Sequence, residues 1–264
     1  MKLAVIGFGN MAQAIVRGLI DKGVCACSDI TASDKSEKAM YAAKNDFMVN
    51  TAADNASCIK GADLILLSTK PVHFASVAEE IAGKVRKDQT VLSIMAGQSL
   101  EVLSDALGEE TAIVRAMPNM PALVGQGITG YCENENVTGE ALEMAEAVLS
   151  GFGEAVHVSE AMMPAVTSVG GSAPAFVFMF IEALADGAVA EGMPRAQAMK
   201  FAAKTVMGSA AAVMETGKHP GELKDMVSSP AGTTIEGVAV LEEGAFRSTV
   251  IEAVRAAAEK SRGM

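Results

Sequence analysis

Tryptophan is absent from the 264 residues, tyrosine occurs twice, histidine three times and cysteine four times. That scarcity removes several kinds of chemistry. Cys25 and Cys27 form C-x-C, but Cys58 and Cys132 supply no second pair, and His73, His157 and His219 stand at no metal-ligand spacing to them, so no metal site is expected. The thiols read as buried core residues of a protein kept in a reducing compartment. Positive charge is also in short supply, with 21 Lys and Arg against 32 Asp and Glu and a net charge of −11, which argues against a nucleic-acid or anionic-membrane surface. A membrane span is not expected either: the longest apolar run, Ala173 to Ile181, stops well short of one before Glu182 and Asp186 intervene. The apolar start after Lys2 is broken by Gly-Phe-Gly and lacks a cleavage-like site, so no secretory leader is expected and a cytoplasmic location is. What remains is a chain that is 50% hydrophobic, enough for a sizeable core, in which the 17 methionines read as adaptable filling. Its length permits one large or two modest domains. It carries no internal repeat or low-complexity linker.

Residues 2 to 12 read Lys-Leu-Ala-Val-Ile-Gly-Phe-Gly-Asn-Met-Ala, a short apolar strand followed by G-x-G-x-x-A and a helix-like run through Leu19 to Gly23. In that setting the motif predicts a dinucleotide site, with Gly7 for the sharp turn, Gly9 for close approach of a pyrophosphate, and Ala12 for tight helix-on-strand packing. Asp34 follows the second expected strand, where an acidic side chain grips the adenosine ribose of NAD and repels the phosphate of NADP. Ser33, Lys35 and Ser36 pull the other way, so the residues leave NADH and NADPH both open. Thr69, Lys70 and Pro71 follow another apolar strand, at a carboxyl end where ligands bind in open α/β sheets.

The pattern alternates strands near 2–6, 29–33, 47–50, 63–68, 90–95 and 112–117 with helical segments, which predicts a doubly wound, Rossmann-like parallel sheet. Strands at 127–133 and 154–159, flanking a helix at 138–151, would extend it. Beyond Ser159 the pattern is helical to the end, with Pro164, Pro174, Pro194 and Pro220 near helix starts. The expected organisation is therefore an α/β domain over 1–160 and an all-helical domain over 161–264. Within the latter, Pro174 to Gly192 is apolar on most sides and needs a partner, either its own domain's core or a second subunit.

The stretch from His219 to Gly244 sets a loop of small and hydroxyl residues at a helix start. Pro230 and Gly232 suit a tight turn, Thr233 and Glu236 have capping-box spacing, and Gly237 to Leu241 continues as an amphipathic helix. Free amides and the helix dipole would make the loop a holder of small anions.

Together the two ends carry a family likeness. In Gly7-Phe-Gly-Asn-Met-Ala12, Thr69-Lys-Pro71, Met117-Pro-Asn-Met-Pro121, Gly171-Ser-Ala-Pro-Ala-Phe176 and His219 through Ile235, the chain resembles the pyrroline-5-carboxylate reductases along nearly its whole length. It departs from them where the family has Ser-Gly-Ser-Gly-Pro-Ala-Tyr and this chain has Gly170-Gly-Ser-Ala-Pro-Ala-Phe176, and where Ser-Pro-Gly-Gly becomes Ser229-Pro-Ala-Gly232. The resemblance implies hydride transfer from NADPH or NADH to a cyclic imine acid, giving L-proline in the last step of its biosynthesis. It places Gly7, Phe8, Gly9, Asn10, Met11, Ser33, Asp34, Lys35, Asn55, Thr69, Lys70, Pro71, Ala96, Gly97, Met117, Pro118 and Asn119 along the cofactor. The amides of Gly232, Thr233 and Thr234 would take the substrate carboxylate, the Thr234 hydroxyl would meet the ring nitrogen, and Ser229 would orient the other side. The helical domains of this family pair into intertwined dimers, some assembling further, so a homodimer is implied.

Two other classes share part of this pattern. The β-hydroxyacid dehydrogenases use a lysine early in the second domain, but no lysine occurs between Lys87 and Lys200. A non-enzymatic dinucleotide sensor would have the glycine loop without turnover.

Overall fold

The computed structural model describes residues 1–263. Eight strands form one sheet: β1 (Leu3–Ile6), β2 (Ile30–Ser33), β3 (Asn50–Thr51), β4 (Leu64–Leu67), β5 (Thr90–Ser93), β6 (Ala112–Met117), β7 (Gly127–Glu133) and β8 (Gly153–His157). Their spatial order is β3-β2-β1-β4-β5-β6-β7-β8. The first six run parallel, as the alternation predicts. β7 then pairs antiparallel with β6, and β8 runs parallel to β7, so the two added strands extend the sheet in the reverse direction. The short connection between Met117 and Gly127 accounts for this, since a parallel return needs a crossover of a dozen or more residues.

The helices of this sheet-bearing part are α1 (Asn10–Asp21), α2 (Glu37–Asn45), α3 (Asn55–Cys58), α4 (Phe74–Ile81), α5 (Leu100–Leu107) and α6 (Gly139–Ser150). Every residue of β1, β4 and β5 is buried, because helices cover both faces of the sheet. In β4, Leu64 and Leu66 join one core with Ile15, Leu19, Val148 and Phe152 of the α1 and α6 side. Ile65 and Leu67 join the other with Phe74, Val77, Ile81 and Leu103 of α4 and α5. That division is the two-residue period of a strand sandwiched between layers.

The remaining helices are α7 (Met163–Val166), a π-helical stretch at Thr167–Ser172, α8 (Ala173–Ala190), α9 (Arg195–Thr216), α10 (Pro220–Met226), α11 (Thr233–Glu243) and α12 (Phe246–Arg262). Pro164, Pro174 and Pro220 fall in the first turns of α7, α8 and α10, and Pro194 caps α9, where their missing N–H is harmless. By contact the chain divides into Met1–Gly171 with Ala257–Met264, and Ser172–Ala256. This contact division lies after Gly171, eleven residues beyond the change of sequence pattern at 160. Val166 packs over Gly130 of β7 and Gly171 lies against Met117 of β6, which keeps the intervening residues with the sheet.

The second unit has little interior of its own. Ala185, Ala198 and Ala202 form its buried cluster, with Ile181, Ala188, Val189 and Met193 packed around them. Phe178 and Met179 on α8 are 50% and 69% exposed. The helical stretch Glu160–Ala190, whose most apolar 18-residue window has a mean hydropathy of 1.6, is by length and composition alone apolar enough to cross a membrane. Glu182 and Asp186 interrupt the apolar run but not the helix, which continues to Ala190.

One buried polar atom stands out in the sheet. Thr129 of β7 is fully enclosed, yet its Oγ1 has no hydrogen-bond partner among the described residues. A hydroxyl left so is a net penalty that an isosteric methyl removes. Thr129→Val is therefore expected to raise unfolding stability by about 1 kcal/mol. Urea denaturation checks this, and a loss of stability would show that the hydroxyl is satisfied in solution.

Candidate active site

At the carboxyl ends of β1, β2 and β4 the chain encloses a cavity of about 500 Å³, lined among others by Gly7, Gly9, Asp34, Asn55, Thr69 and Lys70. A hollow of about 640 Å³ at the opposite end of the sheet, beside Met1, Thr90 and Ala112, lies at the strands' amino ends, where doubly wound sheets do not bind ligands.

Gly7 makes the first cavity. Its φ is +88°, and a Cβ there would stand 2.9 Å from Thr69 Cγ2 and 3.0 Å from the backbone of Ser68 and Thr69. Only glycine meets both demands. Gly9 then caps α1 in an extended conformation; no side chain caps the helix and no acidic residue lies in its first turn. A Cβ on Gly9 would meet nothing within 4 Å, so the backbone is open to the cavity. Uncapped amides at a helix start, free of negative charge, suit a pyrophosphate. Ala12 is buried against the sheet, as close packing requires.

The loop is tied on three sides. Ser68 Oγ donates to the carbonyl oxygens of Ile6 and Gly7. Gln13 Nε2 donates to Phe8 O at 3.0 Å. Asp34 Oδ2 accepts from the Phe8 amide at 2.7 Å, while Oδ1 accepts from the Ser36 amide at 2.7 Å. Phe8 itself points away from the cavity, fully buried and edge-on to Phe47 with centroids 5.3 Å apart. Its side chain is core; only its backbone faces the loop. Ser33 is buried and its Oγ donates to Asn55 Oδ1 at 2.7 Å, which fixes Asn55 in the wall.

The structure thus brings Gly7, Gly9, Ser33, Asp34, Lys35, Asn55, Thr69 and Lys70 to one cavity and adds Ile6, Ser36, Ser68, His73, Ser76 and Val77. Ser68 ends the apolar run before Thr69, and His73, Ser76 and Val77 sit on the turn and helix that follow Pro71. Of that added group the sequence reading named only Ser36 as a contact. Asn10 is exposed at the start of α1 and Met11 packs partly on the core. Ala96, Gly97, Met117, Pro118 and Asn119 follow β5 and end β6 on the same edge of the sheet but do not line this cavity. Asn119 is buried as a staple, with Nδ2 donating to Gly170 O at 3.2 Å and Oδ1 accepting from the Ile128 amide at 3.0 Å.

In the helical unit, the Gly232 amide donates to Ser229 O at 3.0 Å, closing a turn with Pro230 and Ala231 at its centre. Ala231 has φ +54°, the left-handed conformation that a type II turn demands at this position and that glycine adopts more readily. Alanine there carries a penalty of about 1 kcal/mol. α11 begins at Thr233 with Gly232 as N-cap and no side-chain cap, so the expected capping box does not form. Thr233 is already inside the helix, one residue too late to cap it. The Gly232 amide is also taken by the turn, which leaves Thr233 and Thr234 at the open helix start. Both are exposed. Upstream, His219 Nδ1 accepts from the Gly221 amide at 3.1 Å and caps α10.

A glycine-turned loop feeding an uncapped helix at the carboxyl edge of a Rossmann-like sheet, with Asp34 beyond the second strand, defines the class of NAD(P)-dependent oxidoreductases. Residues 2–97 match the family described as NADP oxidoreductase coenzyme F420-dependent, and residues 160–264 match pyrroline-5-carboxylate reductase dimerisation. The chain is 48% identical over 260 residues to the pyrroline-5-carboxylate reductase of Escherichia coli (strain K12), covering 98% of this chain and 97% of that one. The solved structure of a pyrroline-5-carboxylate reductase from Coxiella burnetii superposes with a TM-score of 0.93 at 33% identity, covering 99% of this chain and 97% of that one. That of Plasmodium falciparum pyrroline carboxylate reductase with NADP bound superposes at 0.90 and 30% identity, covering 100% and 97%. This chain belongs to the pyrroline-5-carboxylate reductase family.

The two glycines separate folding from binding. Gly7→Ala is expected to lower stability by at least 1–2 kcal/mol, because it combines a positive φ with a backbone clash. Gly9→Ala, with open space around the new methyl, should keep the melting temperature within a few degrees of wild type and weaken cofactor binding instead. Paired thermal denaturation and cofactor titration test this; a Gly9→Ala variant with unchanged affinity would place the pyrophosphate elsewhere.

Proposed function

We propose that the chain reduces the cyclic imine of 1-pyrroline-5-carboxylate to L-proline at the expense of NADPH or NADH. The observation that carries the reading is the presence, in one chain of this family, of both the dinucleotide cavity and an uncapped helix start carrying Thr233 and Thr234. The cofactor, once bound, supplies the hydride that adds to the imine carbon. The Gly7–Met11 loop and the start of α1 would hold its pyrophosphate, Asp34 and Asn55 its adenosine end, and Thr69, Lys70 and Pro71 the wall beside it. The β5 and β6 ends, with Ala96, Gly97 and Met117 to Asn119, would continue along it.

The protonated imine is already electrophilic, so the protein's main tasks are orientation and keeping the nitrogen protonated. Amides of Thr233 and Thr234 would bind the substrate carboxylate, as the dipole of α11 favours. Gly232 would contribute its conformation, its amide being held by the turn. The Thr234 hydroxyl would hydrogen-bond the ring nitrogen, with Ser229 on the other side. Threonine is a weak acid, so its part is positioning and proton relay.

The exposed apolar residues of the second unit support a homodimer through the helical domain, in keeping with the dimerisation family matched over 160–264, and a higher assembly is compatible with it. We read the apolar α8 stretch as covered by a second copy and not by lipid. Nucleic acid is not among the partners we propose, given the acidic charge balance. A cytoplasmic location is supported by four free cysteines.

Spectrophotometric oxidation of NADH and NADPH with the imine, followed by analysis for proline, is expected to show turnover. Folded protein that makes no proline with either cofactor across a range of pH would overturn the reading in favour of a dinucleotide sensor. Thr234→Val should lower kcat/KM by about 2–4 kcal/mol of transition-state stabilisation while leaving cofactor affinity nearly unchanged. Near-normal turnover in that variant would remove the hydroxyl from the mechanism. Light scattering at micromolar concentration should report at least a dimer, and a monomer would refute the proposed pairing.

A further inference from the structure

We infer that Asp34 is the specificity-determining residue of the adenosine end, and that its fixed carboxylate makes the chain select NADH over NADPH. The inference goes beyond the cofactor class. It rests on the dinucleotide reading of the cavity and not on the identity of the imine.

An acidic side chain after the second strand can turn aside when it is free to rotate. Asp34 is not free. Oδ2 accepts from the Phe8 amide and Oδ1 from the Ser36 amide, both at 2.7 Å, so the side chain bridges the glycine loop and the first turn after β2. Swinging it away to admit a 2′-phosphate would leave both amides without their acceptor and remove one of the three ties on the glycine loop. Each carboxylate oxygen retains a further lone pair, enough to accept from ribose hydroxyls while the clamp stays closed. A dianionic 2′-phosphate at the same place would meet a like charge that cannot retreat.

The groups available to compensate are poorly placed. Ser33 is buried and gives its hydroxyl proton to Asn55. The Ser36 amide is already donating to Asp34, and its Oγ caps α2 by accepting from the Ala39 amide. Lys35 is 79% exposed and lies 3.9 Å from Glu80, so its charge is both screened and shared. Lys70 follows β4, with β1 between it and β2, about 10 Å from the adenosine side of the sheet edge at ordinary strand spacing. Only Asp34 is both charged and rigid at the end of β2.

The test is calorimetric titration of the intact protein with NADH and NADPH, without imine, at constant ionic strength. Wild type is expected to bind NADH more tightly by about tenfold or more. Asp34→Ser should shift the ratio of the two dissociation constants towards NADPH by about the same factor. Asp34→Asn, which removes the charge at nearly the same size, should shift it in the same direction and serves if the serine variant fails to fold. Wild type binding NADPH as tightly as NADH would overturn the inference. So would loss of both affinities in equal measure in the folded variants, which would make Asp34 a structural tie alone. Because binding is read without turnover, inactivity with the imine would count against the reductase reading and leave this ratio standing.

Discussion

A Cβ on Gly7 would touch the backbone of Ser68 and Thr69 at about 3 Å, and the arrangement of the whole carboxyl edge follows from that closeness. β1 and β4 are paired in register through Ile6 and Leu67, so the chain leaving β1 has no lateral room and must turn at once. The turn at φ +88° delivers Gly9 to the cavity wall at the start of α1 and leaves the Phe8 amide facing the end of β2. Asp34 closes the circuit. The same carboxylate that fixes the loop also sets the charge of the cavity wall, so conformation and charge cannot be varied independently there.

An acidic chain that handles anions has to do so without a general positive field. The protein uses backbone dipoles. α2, α3, α5 and α6 start with side chains that fill their amides: Ser36, Asp54, Ser99 and Thr138. Of the starts that lack a side-chain cap, α4, α7 and α8 continue from preceding helical turns and α9 follows Pro194, whereas α1 and α11 open at Gly9 and Gly232. These are the two helix starts to which we assign phosphate and carboxylate. An empty cap is a local loss of stability, typically about 1 kcal/mol against a good cap, and a bound anion is what compensates it.

Much of this was legible in the chain because it depends on local demands. Glycine at a positive φ, proline in a first helical turn and the unbroken apolar run of β4 each leave a mark in the residues themselves. The reversal of β7 and β8 left none, since strand direction depends on connection length and on pairing, not on the strand's own pattern. The 228–234 loop was recognisable by its composition, yet its cap was misplaced by one residue. Thr233 and Glu236 satisfy the spacing, but the turn from Ser229 to Gly232 fixes where the helix starts, and that turn is a matter of backbone conformation. At Phe8 the motif marks a backbone position, and the side chain belongs to the core with Phe47. The Asp34 clamp joins residues 26 apart and could be found only in three dimensions.

The two halves differ in how completely they bury themselves. The sheet is covered on both faces by its own helices and forms two closed cores. The helical unit buries little beyond three alanines, and Phe201, Met207, Met214 and Val240 lie open along its helices in addition to Phe178 and Met179. Alanine burial gives little hydrophobic stabilisation, since the energy scales with apolar area removed from water. Small residues between α8 and α9 let these helices approach closely, but they leave the large side chains pointing outward. A unit built this way gains its main burial only when another surface covers it, so its stability depends on protein concentration in a way that the sheet's does not. The loop that carries Thr234 belongs to that concentration-dependent part. Dilution should therefore disturb the loop to which we assign the carboxylate before it disturbs the dinucleotide cavity.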